Sequence, residues 1–340
     1  MGRAHQDKIS RSYGALRRPH RRRLRDKIKE KQEGIPLSLE GVSPLYLSLK
    51  PELRRERARK LERLMEECVL CPRRCRTRRS AGERGRCGAP GKAVVDSFFP
   101  HRGEERVLSG YRGSGTIFFV HCNLECVFWQ NWTISRGKVS GDEVSPRELA
   151  EMMLSLQEQG CHNITLVTPT PYVAAIAAAI DYAAEGGLRL PIVYNSSGYE
   201  STAVLKLLQG LIDIYMPDAK YGSDEKGERY SGIPDYYTRL KEALKEMQRQ
   251  VGDLALDEEG LAYRGLLVRH LVLPGGEAGT EELVRFLKKE ISPRCAVNIM
   301  AQYYPAYRAA DFPPLDRRPT REEYLAAREL ARRAGLRLID

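Results

Sequence analysis

The chain has 340 residues, 42% of them hydrophobic and 30% charged, with 56 Lys/Arg against 45 Asp/Glu. No apolar run approaches the ~20 residues a membrane helix needs, and the basic N-terminus has no apolar segment behind it, so no secretory signal is expected. Eight cysteines in a chain this long, several in C-x-x-C-type spacing, point to ligands in a reducing compartment more than to a disulfide framework. The expectation is a cytoplasmic protein with no membrane partner.

The basic excess is local. Residues 1–60 carry 18 Lys/Arg against 7 Asp/Glu, and the remaining 280 residues carry 38 of each. The first ~35 residues hold few large apolar groups and cannot offset their ordering entropy alone, so a mobile arm is expected over 1–50. Such an arm suits nucleic acid or another polyanion. A solvated tail is the favoured reading, because one tyrosine, Tyr13, interleaved among the first ~35 residues is fewer aromatics than a single-strand binder requires.

Residues 51–67 are strong helix formers opened by Pro51. Cys68, Cys71, Cys75 and Cys87 follow, with two, three and eleven residues between them. Four thiolates on one centre fit tetrahedral zinc or an iron–sulfur cluster. A closed set leaves no open coordination position, so a structural role is expected. The arginines among them (Arg73, Arg74, Arg76, Arg78, Arg79) either favour the thiolate form or continue the basic surface. Residues 51–110 are read as a helix plus this metal-binding segment.

From residue 111 onward strands and helices alternate. Strands are predicted at 114–120, 163–168, 191–195, 212–216, 265–273 and 295–302, and helices at 145–159, 171–184, 200–209, 234–250, 280–290 and 320–334. Ser145-Pro146-Arg147-Glu148 and Thr320-Arg321-Glu322-Glu323 read as helix starts with caps. Six such units imply a parallel α/β sheet with helices outside, a barrel or part of one. No Gly-x-Gly-x-x-Gly stands at a strand–helix turn, which argues against a dinucleotide fold. The first strand opens onto a loop with Cys122 and Cys126. Two cysteines are too few for a cluster, and the residue three after Cys126 is Trp129.

This stretch resembles the cluster loop of radical S-adenosylmethionine (SAM) proteins, whose motif is C-x-x-x-C-x-x-C. More closely, the chain is similar to the uncharacterised branch related to the pyruvate formate-lyase activating enzyme. The resemblance rests on Cys68-x-x-Cys71-Pro72-x-x-Cys75, Gly103-Glu104-Glu105, the run 114–119, Cys122-Asn123-Leu124, Gln130-Asn131, the runs 167–170, 195–199 and 214–221, and Arg269-His270 with the residues to Gly275. It covers roughly residues 65–335. It implies a partial (β/α)6 TIM-like barrel with a Cys-rich N-terminal extension. It also implies a [4Fe-4S] cluster on three cysteines, SAM on the fourth iron, an electron donor and, for activating enzymes, a protein substrate. Reductive SAM cleavage to a 5′-deoxyadenosyl radical and hydrogen abstraction would follow.

Cys122 and Cys126 match the first two ligand positions. Trp129 occupies the third, and indole has no lone pair to give iron. Cys161 and Cys295 precede or begin strands, on the wrong face of a parallel barrel, and read as small buried residues. His121 as a ligand would strain the loop, and an exogenous thiol or water is the remaining substitute. By matching position, Thr168 and Thr170 stand where the superfamily holds the SAM amino group, Thr170 being equally suited to cap a helix. Asn195 and Ser197 could bond the ribose, or make an ordinary turn. Asp218 and Lys220 alternate inward and suit a zwitterionic amino-acid moiety, or pair with each other. Arg269, inside an apolar strand, needs a partner: a SAM carboxylate or a barrel aspartate. His270 points to the opposite face. Asn298 and Gln302 share one face of the last strand.

Three functions compete. The first is an iron–sulfur, SAM-binding radical enzyme similar to glycyl-radical-enzyme activases. The second is a catalytically impaired or non-catalytic radical-SAM-like binding protein. The third is a nucleic-acid-binding protein acting through the arm.

Overall fold

The computed structural model describes residues 43–130, 132 and 141–340. Asn131 and the basic arm up to residue 42 lie outside them. The segment 43–50, read with the arm, is fixed by burial. Its short helix α1 (Leu45–Ser48) buries Tyr46, whose hydroxyl donates to the Leu190 carbonyl at 3.0 Å. Helix α2 (Pro51–Arg63) follows and ends near where its run of strong formers gives way to the cysteines. Its Arg54 is buried and paired with Asp181 at 2.8 Å, which holds α2 against the barrel's outer helices.

Strand β1 (Ala93–His101) comes next, then the short helix α3 (Arg106–Ser109), β2 (Ser114–Phe119) and β3 (Asp142–Val144). Helix α4 (Pro146–Glu158) opens with the expected capping box, Ser145 and Glu148 each bonding the other's backbone. The repeat then runs β4 (Ile164–Val167), α5 (Val173–Glu185), β5 (Ile192–Ser196), α6 (Thr202–Leu208), β6 (Ile214–Pro217), α7 (Asp224–Ser231) and α8 (Tyr236–Val251). The short β7 (Ala255–Leu256) precedes β8 (Ala262–Leu271), α9 (Thr280–Phe286), β9 (Ala296–Met300), α10 (Arg321–Arg333) and β10 (Arg337–Leu338). Strands β2, β4, β5, β6, β8 and β9 are neighbours in that order and parallel. The fold is therefore the expected α/β partial (β/α)6 barrel, with β10 added parallel to β9 and β1 and β3 added antiparallel at the other edge.

Two elements escape the periodicity reading. β1 has Asp96, Ser97 and Pro100 within its apolar run and a bulge between Val95 and Ser97, so no clean alternation shows. It pairs with β2 from within residues 51–110. α7 is polar, but Ser223 caps it and Gly232, in the left-handed region at φ 62°, ends it.

The antiparallel pairing of β1 sets up the interior. His101 stands opposite Ser114, at the start of β2. The chain therefore leaves β1 at the barrel's N-terminal end, and α3 plugs that end. Leu108 is fully buried against the inward-facing side chains Val193, Ile214, Met216, Leu267 and Ala296, a contact worth about 2 kcal/mol. Asn163 donates to its carbonyl at 2.8 Å. The plug lifts Glu104 and Glu105 into the barrel toward Arg269 and Asn298.

Candidate ligand site at the strand ends

A cavity of about 230 Å³ opens above this plug. The loop after β2 supplies Cys122, Leu124, Cys126 and Trp129. The ends of β4 and β5 supply Thr168, Asn195 and Ser197, the segment after β6 Asp218 and Lys220, and β8 Arg269. His101, Glu104 and Phe118 close it from below and Trp132 and Tyr307 line it too. A second space of about 150 Å³ shares Trp129, Asp218, Lys220 and Arg269 and adds Gln302.

The loop is held by its backbone. Glu125 N–H donates to the Ser231 carbonyl and Val127 N–H to that of Tyr230, so α7 seats it. Asn123 donates to the Tyr199 carbonyl at 2.8 Å and accepts from the Ser197 hydroxyl at 3.1 Å. Both thiols are buried. Burial pushes Cys122 up to about 12, with Cys126 adding to it; burial raises Cys126 too, against the pull of Lys220. The Cys126 sulfur lies 3.0 Å from the Ser231 hydroxyl. Trp129 lies under the Lys220 ammonium, 4.8 Å from its ring centroid, a cation–π contact.

The charged residues meet as the alternation predicts. Lys220 bonds Asp218 at 2.7 Å. Burial pushes the Asp218 carboxyl up, but Lys220 and Arg269 outweigh it and hold it below the ordinary value. Burial likewise opposes the Lys220 charge, and Asp218 restores it, leaving the ammonium more basic than usual. Arg269 lies between Glu104 at 3.4 Å, Glu105 at 3.5 Å and Asp218 at 3.7 Å. Its partners are thus three barrel carboxylates. Glu104, Glu105 and His101 were not reached as site residues from sequence. The signal lies in Gly103-Glu104-Glu105, but the irregular pattern of β1 gives it no location.

The remaining expected residues divide. Thr168 lines the cavity in the left-handed region, φ 59°, a strained conformation for a β-branched residue. Thr170 turns away and donates to the buried Glu200 at 2.6 Å; it caps no helix. Burial pushes Glu200 up to about 7. Asn298 donates to Glu105 at 2.8 Å, and the Gln302 carbonyl accepts from Gln130 at 3.0 Å. His270 is fully buried on the opposite face, between the Ala219 carbonyl and Thr280, and burial pushes it down to about 4. Cys161 and Cys295 are buried and precede β4 and β9, at the far end of the strands.

His121 is turned toward the cysteine-rich segment. Its Nδ1 lies 2.6 Å from the Tyr172 hydroxyl, and a Cβ on Gly88 would lie 2.9 Å from its ring. Arg73 donates to the Asn123 carbonyl at 2.6 Å. The segment therefore braces the loop. Within it, a Cβ on Gly85 would lie 3.2 Å from the Cys87 sulfur and 3.8 Å from that of Cys75. Arg79 is buried and donates twice to the Pro90 carbonyl and to the Cys68 sulfur at 3.8 Å. Among the described residues, no three His, Cys, Asp or Glu side chains form a ready-made metal cage.

No family model matches the chain. It is 34% identical over 312 residues to the uncharacterized protein MJ0674 of Methanocaldococcus jannaschii, a match spanning 88% of this chain and 82% of that one. The chain belongs to the MJ0674 family. A second relative, uncharacterized protein MJ0808 of the same organism, is 25% identical over 299 residues, 82% of each chain. Among solved structures, this MJ0674-family protein is similar to the FeFe-hydrogenase maturase HydG of Carboxydothermus hydrogenoformans (TM-score 0.43, 13% identity, 64% of this chain and 50% of that one). It is also similar to Streptococcus suis SuiB bound to S-adenosylmethionine (TM-score 0.40, 15% identity, 64% and 47%) and to methylornithine synthase, PylB (TM-score 0.37, 12% identity, 88% and 82%). The chain spans about half the length of the HydG and SuiB structures.

A SAM ligand and a cluster test differently against these residues. The lower cavity offers cations and carboxylates for an amino-acid moiety, and Asn195 for a hydroxyl. The loop offers two thiols and an indole. That donor set does not fit a cubane held by three cysteines, and His121 is directed elsewhere.

Proposed function

We propose that this chain is a radical-SAM-type barrel whose cavity binds SAM, with SAM binding rather than radical chemistry as its function. The observation that carries the reading is the convergence of Asn195, Ser197, Asp218, Lys220 and Arg269 on one cavity at the strand ends. That is where a parallel α/β barrel places its ligands. These side chains would orient the ligand: Lys220 and Arg269 can hold a carboxylate, Asp218 an ammonium, and Asn195 a ribose hydroxyl. Trp129 offers a flat apolar face beside them.

The hydrogen-abstracting, activase-like activity, with its electron donor and protein substrate, needs a third sulfur that Trp129 does not supply. The second of the three readings, a non-catalytic relative, is therefore the one the loop supports. The nucleic-acid reading depends on the arm, outside the described residues.

Cys68, Cys71, Cys75 and Cys87 are proposed as a separate structural metal site, zinc or an iron–sulfur cluster. Buried Arg79 supports this. Among the described residues its hydrogen bonds end on neutral carbonyl oxygen or on sulfur, and an anionic tetrathiolate would supply its counter-charge.

Thermal unfolding of the iron-free protein tests the main reading. SAM in large excess over its dissociation constant should raise the midpoint by several degrees, as a ligand bound only by the native state does. Adenosine and methionine together, at the same concentrations, should not. No shift with SAM would overturn the reading.

A further inference from the structure

Among the described residues, the carboxylates around Arg269 outnumber the cations. Glu104, Glu105 and Asp218 face Arg269 and Lys220. Lys220 and Asp218 satisfy each other at 2.7 Å. One guanidinium is then left between two glutamates, at 3.4 and 3.5 Å, longer than the roughly 2.7–2.9 Å of a well-formed charge-assisted bond. Glu105 Oε1 accepts from Asn298, but its Oε2 is buried with no hydrogen-bond partner among the described residues. Arg269 Nε is likewise buried without a hydrogen bond. His101 Nδ1 is 3.8 Å from Glu104. Burial, assisted by Arg269, holds that imidazole below its ordinary pKa, so it does not cancel the excess at neutral pH.

A carboxylate shielded from water and lacking its own counter-ion is costly. Burial raises the Glu104 carboxyl; Arg269 opposes the rise, and Glu105 and Asp218 add to it. Of the two glutamates, Glu104 lines the cavity. An incoming cation would complete this arrangement.

We infer that Glu104 makes the cavity selective for a ligand of one net positive charge, the sulfonium SAM over its neutral thioether counterpart S-adenosylhomocysteine. The inference rests on the SAM reading above. The two ligands share adenosine and the amino-acid zwitterion, and they differ in the methyl group and in the positive charge that methylation places on sulfur. Selectivity therefore comes from the excess carboxylate.

Both tryptophans of the chain, Trp129 and Trp132, line the cavity, so intrinsic fluorescence reads its occupancy. SAM and S-adenosylhomocysteine are titrated into the full-length protein and into Glu104→Gln. The wild type should bind SAM roughly tenfold more tightly, the effect of one partly shielded charge pair. Glu104→Gln should lose that preference by weakening SAM alone. Glu105→Gln, which removes the same charge from behind Arg269, is the second variant should the first not fold, and its preference should shrink in the same direction. Equal wild-type affinities, or variants that keep the full preference, would overturn the inference and leave the SAM reading standing. Failure of both ligands to bind the wild type would overturn the SAM reading itself.

Discussion

The cavity has two ends, and they differ in chemistry. At the floor, Asp218, Lys220, Arg269, Glu104 and Glu105 form a network of charge contacts at 2.7–3.7 Å, tied to Asn298 of β9. At the roof, the loop after β2 keeps its seat on α7 and its two buried thiols, and has an indole where a third sulfur would complete a cluster site. A charge network buried in a barrel is coupled to stability, because removing one member strands the others. An aromatic residue on a loop can replace a thiol with little structural consequence, and here it finds a cation to rest against. On the proposed reading, the roof lacks one ligand for a cluster while the floor keeps the charges that would hold the ligand, because those charges also take part in the fold.

The largest expected effect restores the roof. Trp129→Cys, reconstituted anaerobically with iron and sulfide, should gain a reduced cubane EPR signal that SAM perturbs, and the wild type should lack it. A SAM-perturbed signal in the wild type would erase the difference between the two ends. Next is the floor. Arg269→Met leaves Glu104 and Glu105 without their cation and should lower unfolding free energy by about 3 kcal/mol in urea. A loss well under 1 kcal/mol would show that the network is not coupled to folding.

Glu200, just outside the cavity, gives a smaller and pH-dependent effect. Its folded pKa, about 7, lies above the ordinary 4.5. Its contribution to stability is therefore full below pH 4.5 and is lost as pH rises through 7. Glu200→Gln should be more stable than wild type at pH 8 by on the order of 2 kcal/mol, with the gap closing toward pH 5. A gap that stays constant with pH would contradict the assignment. Smallest is Thr168→Gly, which should relieve left-handed strain and stabilise by about 1 kcal/mol while weakening SAM binding. Stabilisation with unchanged binding would assign the strain to folding alone.

Much of the barrel was legible in sequence, because each parallel strand is an apolar run bounded by turns and each following helix carries its own periodicity. The alternation of Asp218 with Lys220 placed both inside, and put Arg269 and His270 on opposite faces. Thr170 was misplaced because a strand-end threonine carries no local sign of where its hydroxyl will find an acceptor; here a buried glutamate thirty residues on takes it. Glu104 was missed for a topological reason. Its position depends on β1 running antiparallel to β2 and returning the chain beneath the barrel. The pattern of β1, interrupted by Asp96, Ser97 and Pro100, did not announce that strand.

The most direct test of a floor that works without its roof is the affinity for SAM of the wild-type protein, measured by calorimetry before and after anaerobic iron–sulfide reconstitution. One saturable site is expected in the iron-free protein, with the same dissociation constant, within about twofold, after reconstitution. Binding that arises only once iron is loaded would contradict it.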